Sequence, residues 1–192
     1  MRAMRILVTG TTGGIGGAVA AAARAAGHEV VAVNRGGFES EWGEGTFDAA
    51  VFATGTCPVR PIAMLTDREL VETFEVNCGL FVALVRRLVR ERRIGPKGLR
   101  IVAVSSVSAT EGWPGGAAYC ASKGALSAVA RALDAELSPR GVSVAALEPR
   151  YVRTRMFART AGRMGVDPSR AEEPADFAMK VLASLEPMPD GR

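Results

Sequence analysis

The feature that most constrains the fold is a glycine-rich turn set between a short apolar run and an alanine-rich helical segment. Ile6-Leu7-Val8 leads into Thr9-Gly10-Thr11-Thr12-Gly13-Gly14-Ile15-Gly16, and the residues that follow include Ala18, Ala20 to Ala23, Ala25 and Ala26. A strand–turn–helix of this kind aims the free N–H groups of a helix N-terminus at one point. The glycines let the backbone approach whatever sits there, and a phosphate suits the site. Gly10, Thr12, Gly13, Gly14, Ile15 and Gly16 are therefore candidate contacts to a dinucleotide. The small alanine side chains allow the helix to pack close to a sheet, and Gly27 supplies its usual terminator.

Strand and helix patterns alternate through the rest of the chain, as in a parallel sheet wrapped by helices. Strands are expected at Arg5–Thr9, Glu29–Val33, Ala49–Ala53, Arg100–Ser105 and Val142–Leu147. The first helix is expected over Ile15–Ala26. A capping box, Thr66-x-x-Glu69, opens a long amphipathic stretch to about Arg93. Further helices run from about Gly116 to Leu137, stopped by Ser138-Pro139, and over Pro174–Leu185, with a mobile loop expected at Arg159–Ser169. At 192 residues this predicts one α/β domain over 1–192, a doubly wound three-layer parallel sheet of Rossmann-like type.

Composition excludes several classes. Hydrophobic residues make up 48% and charged residues 23% of the chain, as in a folded globular domain. No apolar run reaches the about 18–20 residues of a membrane span, and the N-terminus lacks a secretory pattern, so a cytoplasmic location is expected. Cys57, Cys78 and Cys120 fit no metal spacing and are expected as buried free thiols. His28, the single histidine, sits in a turn expected at the surface, so no metal site is expected. The net charge of +4 is densest at Arg86, Arg87, Arg90, Arg92 and Arg93, which read as a solvated helix end. No aromatic platform accompanies them, and no nucleic-acid partner is expected.

A second motif carries chemistry. Tyr119 and Lys123 lie four apart on a predicted helix and so share one face. A phenol with a pKa near 10 is a poor base at neutral pH, and a neighbouring ammonium is expected to lower it. Ser106 precedes them in the spacing Ser-x12-Tyr-x3-Lys. In this order, with the glycine loop about a hundred residues upstream, these residues resemble the short-chain dehydrogenase/reductase family.

The resemblance implies roles. Tyr119 would be the general acid/base, Ser106 would donate to the substrate carbonyl oxygen, and Lys123 would also hold the nicotinamide ribose. Asn77, in Phe74-Glu75-Val76-Asn77, matches the family's fourth active-site residue, which holds a water in the proton relay. Ser105 is expected to support the strand end. Pro149, Val152 and Thr154, in Glu148-Pro149-Arg150-Tyr151-Val152-Arg153-Thr154, match the segment that lies along the nicotinamide. There Arg150 replaces a glycine and either costs backbone strain or reaches an anionic substrate group. Thr54 and Gly55 close the third strand, with only the glycine of the family's Asn-Asn-Ala-Gly motif retained. Asn34 and Arg35 end the second strand without the acid that an NAD-binding member places there, which favours NADP(H) over NAD(H).

The loop fits both Gly10–Gly14–Gly16 and Gly10–Gly13–Gly16 spacings. Chain length selects the former, because there is no room for the extended relatives' substrate domain. Parts of the family pattern are missing. Only Asn34 to Phe47 separates the second strand from the next, where the family fits a third strand and two helices. About thirteen extended residues span at most about 45 Å, enough to cross the sheet. Phe38, Trp42 and Phe47 are expected to plug the uncovered face. The family's last strand has no counterpart.

The expected activity is NADP(H)-dependent hydride transfer between nicotinamide and a small-molecule ketone, aldehyde or secondary alcohol. A 3-oxoacyl thioester reductase is the alternative substrate class, and an NADP(H)-binding sensor or partner subunit the non-catalytic alternative. Trp113, Tyr151, Met156 and Phe157 are candidate pocket walls. A homodimer is expected through the helices carrying Asn77 and Tyr119, using Phe81, Leu84, Val85, Leu88, Leu126, Val129 and Leu133.

Overall fold

Five strands form one parallel sheet in the order β2-β1-β3-β4-β5. They are β1 (Arg5–Thr9), β2 (Glu29–Val33), β3 (Ala49–Phe52), β4 (Leu99–Val104) and β5 (Val142–Leu147). The computed structural model describes residues 2–34, 37–38 and 42–186. Parallel strands covered on both faces read as continuous apolar runs, and β3 is buried at every residue. β1 pairs with β2 from Arg5↔Glu29 to Thr9↔Val33 and with β3 through Ile6↔Ala49 to Val8↔Val51. All strands therefore point their C-terminal ends the same way, which is where a doubly wound sheet places its ligand site.

Helices cover both faces. Against one lie α1 (Gly14–Ala25) and α6 (Pro174–Leu185), where Val19, Ala20 and Ala23 meet Phe177, Ala178 and Val181 over Ile6, Val8 and Val51. The other face carries α3 (Leu80–Arg90) and α4 (Ala117–Leu137), with Phe81, Leu84, Val85, Leu88 and Leu126 in the core. Those five side chains are at most 1% exposed. They cannot serve as a dimer surface. Val129 and Leu133 also pack on this core.

The described residues between β2 and β3 do plug the open face. Phe47, Trp42 and Phe38 are 0%, 2% and 9% exposed. Phe38 meets the Phe52 ring edge-on at 6.4 Å, and Phe52 lies 5.4 Å from Phe81. The basic run is only partly the solvated helix end expected of it. Arg87 stacks 4.0 Å from the Trp42 ring and donates to the Phe38 carbonyl at 2.7 Å. Arg93 donates to Gly43 at 2.6 Å, so two of the arginines fasten the crossing segment. Planar guanidinium suits this stacking.

The amphipathic stretch from Thr66 is not one helix. The capping box forms, with Thr66 and Glu69 bonding reciprocally, and opens α2 (Asp67–Phe74). A π-helical turn over Glu75–Gly79 then offsets α2 from α3, which ends at Arg90. The expected loop at 159–169 is also mostly helix, since α5 spans Arg155–Met164. Thr154 caps it by accepting from Phe157 N, Phe157, Thr160 and Ala161 are buried, and Gly165 ends it at φ 64°. His28 is not at the surface either. It is 6% exposed, and its Nδ1 accepts from the Met4 amide at 3.2 Å. No described helix is long and apolar enough to cross a membrane.

Candidate active site

At the C-terminal end of the sheet the glycine turn and the Ser–Tyr–Lys residues open onto one cleft of about 710 Å³, within the range of small-molecule sites. The turn is built by close approach. Gly10 sits at φ +68°, and a Cβ there would lie 2.7 Å from the Ala53 carbonyl oxygen. A Cβ on Gly16 would collide with the Gly10 carbonyl, and one on Gly14 would meet Thr154 Cγ2 at 2.6 Å. Gly17 makes the first helical bond, to Gly13 at 2.9 Å, which leaves the amides of Gly14, Ile15 and Gly16 facing out of the helix N-terminus. No acid occupies that first turn. Amides, dipole and glycine clearance together fit a dinucleotide pyrophosphate.

Thr9 and Asn34 lock the turn. Thr9 Oγ1 accepts from Ala53 N, Thr54 N and Thr54 Oγ1 at 3.1, 3.3 and 2.9 Å. Asn34 Oδ1 accepts from Thr11 Oγ1 at 3.2 Å and from Thr12 N at 3.4 Å. Gly13, Gly14, Ile15, Thr54, Gly55, Pro149, Val152 and Thr154 line the cleft with Ser106, Tyr119 and Lys123. Gly10, Thr12, Gly16 and Asn34 stand behind it and shape it. Arg35 lies outside the described residues.

The α4 face brings Tyr119 and Lys123 together as their spacing requires, with Nζ 5.8 Å from the tyrosine ring centroid. Lys123 is 4% exposed and donates to Val104 O, at the end of β4, at 2.8 Å. Burial pushes its pKa down to about 8, partly offset by the Cys57 and Cys78 thiols. The expected lowering of Tyr119 is not observed. Burial, then the nearby Cys57 thiol, raises its pKa well above the usual phenol value, and hydrogen bonding with Ser106 opposes them only in part. Desolvation of the buried phenol is the dominant effect.

A buried hydroxyl chain holds this helix in place. Ser105 Oγ bonds Lys123 O at 3.2 Å and Ser127 Oγ at 2.8 Å, and Ser127 Oγ donates to Glu148 Oε1 at 2.7 Å. Ser105 thus ties β4 to α4, leaving Ser106 Oγ, which accepts from Ser108 N at 3.1 Å, in the cleft wall. Asn77 is not a wall. At 0% exposure in the π turn, its Oδ1 accepts from Thr56 N at 2.7 Å, while Nδ2 donates to Thr56 O and Ser122 Oγ, both at 2.9 Å. It clamps the segment after β3 against α4, with Gly55 between it and Lys123.

Arg150 carries no left-handed strain, since the only described non-glycine residue with positive φ is Arg92. Its guanidinium reaches Glu111, with Nη2–Oε1 at 2.6 Å and Nη1–Oε2 at 3.3 Å. Trp113, Tyr151, Met156 and Phe157 line the cleft as expected. Cys57, Ser108, Arg155, Ala158, Arg159, Thr160 and Met164 join them and were not foreseen. Most belong to α5, whose signals were the Thr154 cap and the Phe157–Thr160–Ala161 spacing. The three cysteines are free but half-buried, and burial pushes the Cys57 thiol up to about 12.

A family model described as short chain dehydrogenase matches residues 37–164. The chain belongs to the short-chain dehydrogenase family. It is 31% identical over 143 residues to the cyclopentanol dehydrogenase of Comamonas sp., which covers 70% of this chain and 57% of that protein. With the L-xylulose reductase of Bos taurus it shares 31% identity over 180 residues, 79% of this chain and 73% of that one. The chain thus spans little more than half the length of the first relative. Among solved structures, a short-chain dehydrogenase from Streptomyces avermitilis superposes with a TM-score of 0.78 at 25% identity, covering 98% of this chain and 86% of that one.

Proposed function

We propose that this short-chain dehydrogenase is an NADP(H)-dependent carbonyl reductase, acting in reverse as an alcohol dehydrogenase. The observation that carries the reading is a single cleft bordered at one end by the glycine turn and at the other by Ser106, Tyr119 and Lys123. When bound, the nicotinamide supplies or accepts the hydride. Gly13, Gly14 and Ile15 would hold the pyrophosphate, and Lys123 the nicotinamide ribose. Val152 and Thr154 would border the nicotinamide.

Tyr119 gives its proton to the carbonyl oxygen, and Ser106 donates a hydrogen bond to the same oxygen as charge develops there. The burial that raises Tyr119 keeps the phenol protonated at neutral pH, which favours the reductive direction. Lys123 is poised to return the proton, because a pKa of about 8 lets it exchange near neutrality. Asn77 positions this lysine by fixing Gly55 and α4. The preference for NADP(H) rests on Asn34, an amide where an acid would accept from a ribose 2′-hydroxyl. The free thiols suit a reducing compartment, which supports a cytoplasmic location.

The test is turnover of a panel of ketones, aldehydes and 3-oxoacyl thioesters with NADPH and with NADH. Oxidation of NADPH at higher kcat/KM than NADH is expected. Tight NADPH binding with no substrate turned over would instead make the protein a nucleotide-binding sensor or partner subunit.

A further inference from the structure

The charged side chains that line the cleft are all of one sign. Its charged walls are Lys123, Arg150, Arg155 and Arg159, with no Asp or Glu among the described lining residues. Lys123 donates to Val104 O and belongs to the proposed catalytic set, and Arg150 is paired with Glu111. Arg153, beside them, takes Glu173. Arg155 and Arg159 stand exposed on α5, and neither is in an ion pair among the described residues.

Their position works against the helix. Arg155 is the first residue of α5, where the helix dipole disfavours a cation, and no acid shares that first turn. Arg159 follows one turn later on the same face, so the two charges repel along the wall of the cleft. A ligand that brings negative charge resolves both conflicts. Cys57 locates Arg159 relative to the reacting end. Its thiol lies within the electrostatic reach of both Lys123 and Arg159, and all three line the same cleft. Trp113, Tyr151 and Phe157 supply apolar wall to it.

We infer that Arg159, assisted by Arg155, binds an oxyanion carried by the substrate itself, a carboxylate or phosphate a few bonds from the reacting carbonyl. The inference rests on the oxidoreductase reading of the cleft and names its substrate class. A guanidinium matches both anions through two parallel N–H donors. Arg150, the residue that the sequence suggested for this role, is engaged with Glu111.

Two matched pairs test it on the full chain: 4-oxopentanoate with its methyl ester, and dihydroxyacetone phosphate with dihydroxyacetone. Calorimetry in the presence of NADP+, which has no hydride to give the carbonyl, reads binding without turnover, and NADPH oxidation is followed separately. At least one anion is expected to bind about ten-fold more tightly than its neutral partner, as a charge-assisted pair allows. Arg159→Gln should abolish that preference and Arg159→Lys restore part of it. The favoured pair distinguishes carboxylate from phosphate.

Equal binding of anion and neutral partner in both pairs, or a preference unchanged in R159Q, would overturn the inference. A matching loss of NADPH affinity in R159Q would assign the arginine to the nucleotide and also overturn it. Neutral carbonyls turned over as well as anionic ones would sink the anion site while leaving the oxidoreductase reading intact. Arg159-dependent anion binding with no NADPH oxidation by any carbonyl would do the reverse.

Discussion

Lys123 is where stability and proposed chemistry conflict most directly. Its folded pKa of about 8 lies below its ordinary 10.5. Below pH 8 both folded and unfolded chains carry the proton, and the folded one bears the cost of a buried charge. Between pH 8 and 10.5 the unfolded chain still binds the proton that the folded chain has released, so stability from this group rises with pH across that window. The difference amounts to about 3 kcal/mol. Lys123→Met should therefore raise the denaturation midpoint at pH 7 and flatten its rise toward pH 10, as urea titrations at several pH values would read. A variant no more stable than the parent at pH 7 would contradict the burial argument. Asn77 has the opposite balance. Its buried side chain makes three hydrogen bonds, so Asn77→Ala should cost about 2–3 kcal/mol, measurable as a lower urea midpoint.

Among the elements, the crossing segment before β3 buries three aromatic side chains, Phe38, Trp42 and Phe47. Trp42→Ala should destabilise the protein by about 3–5 kcal/mol, and loss of well under 1 kcal/mol in the same titration would mean the plug is dispensable. The capping box, the strand bounds and α6 were legible because each rests on local chemistry that a short string displays. The π turn was not, since a 75–79 segment of Glu-Val-Asn-Cys-Gly looks helical until Asn77 is seen clamping Thr56. Arginines 87 and 93 misled for a related reason. A helix-end cation and a cation stacked on a distant aromatic have the same local sequence. The α5 helix was hidden by Gly162 and Gly165, and with it went Arg155, Ala158, Arg159, Thr160 and Met164 of the cleft wall.

For the whole molecule, the Ser–Tyr–Lys spacing and glycine turn anticipated the cleft, while the electrostatics inside it depended on burial that no motif encodes. Tyr119 is the case in point. The homodimer expected from the sequence would need other residues, because those named for it lie in or against the core. The outward faces of α2 and α3 carry Val71 and Val82, 64% and 36% exposed. If the chain pairs through these faces, light scattering reads a dimer that V71E/V82E shifts to monomer; a parent protein that is monomeric at all concentrations would refute the pairing.

The central claim is that Tyr119 is the proton donor in a nucleotide-dependent carbonyl reduction. The most direct measurement pairs NADPH calorimetry with NADPH-oxidation kinetics on the parent and on Tyr119→Phe. NADPH affinity should be retained while kcat falls about 10²–10⁴-fold, the range for removal of a general acid. Turnover by Tyr119→Phe at the parent's rate would contradict the account.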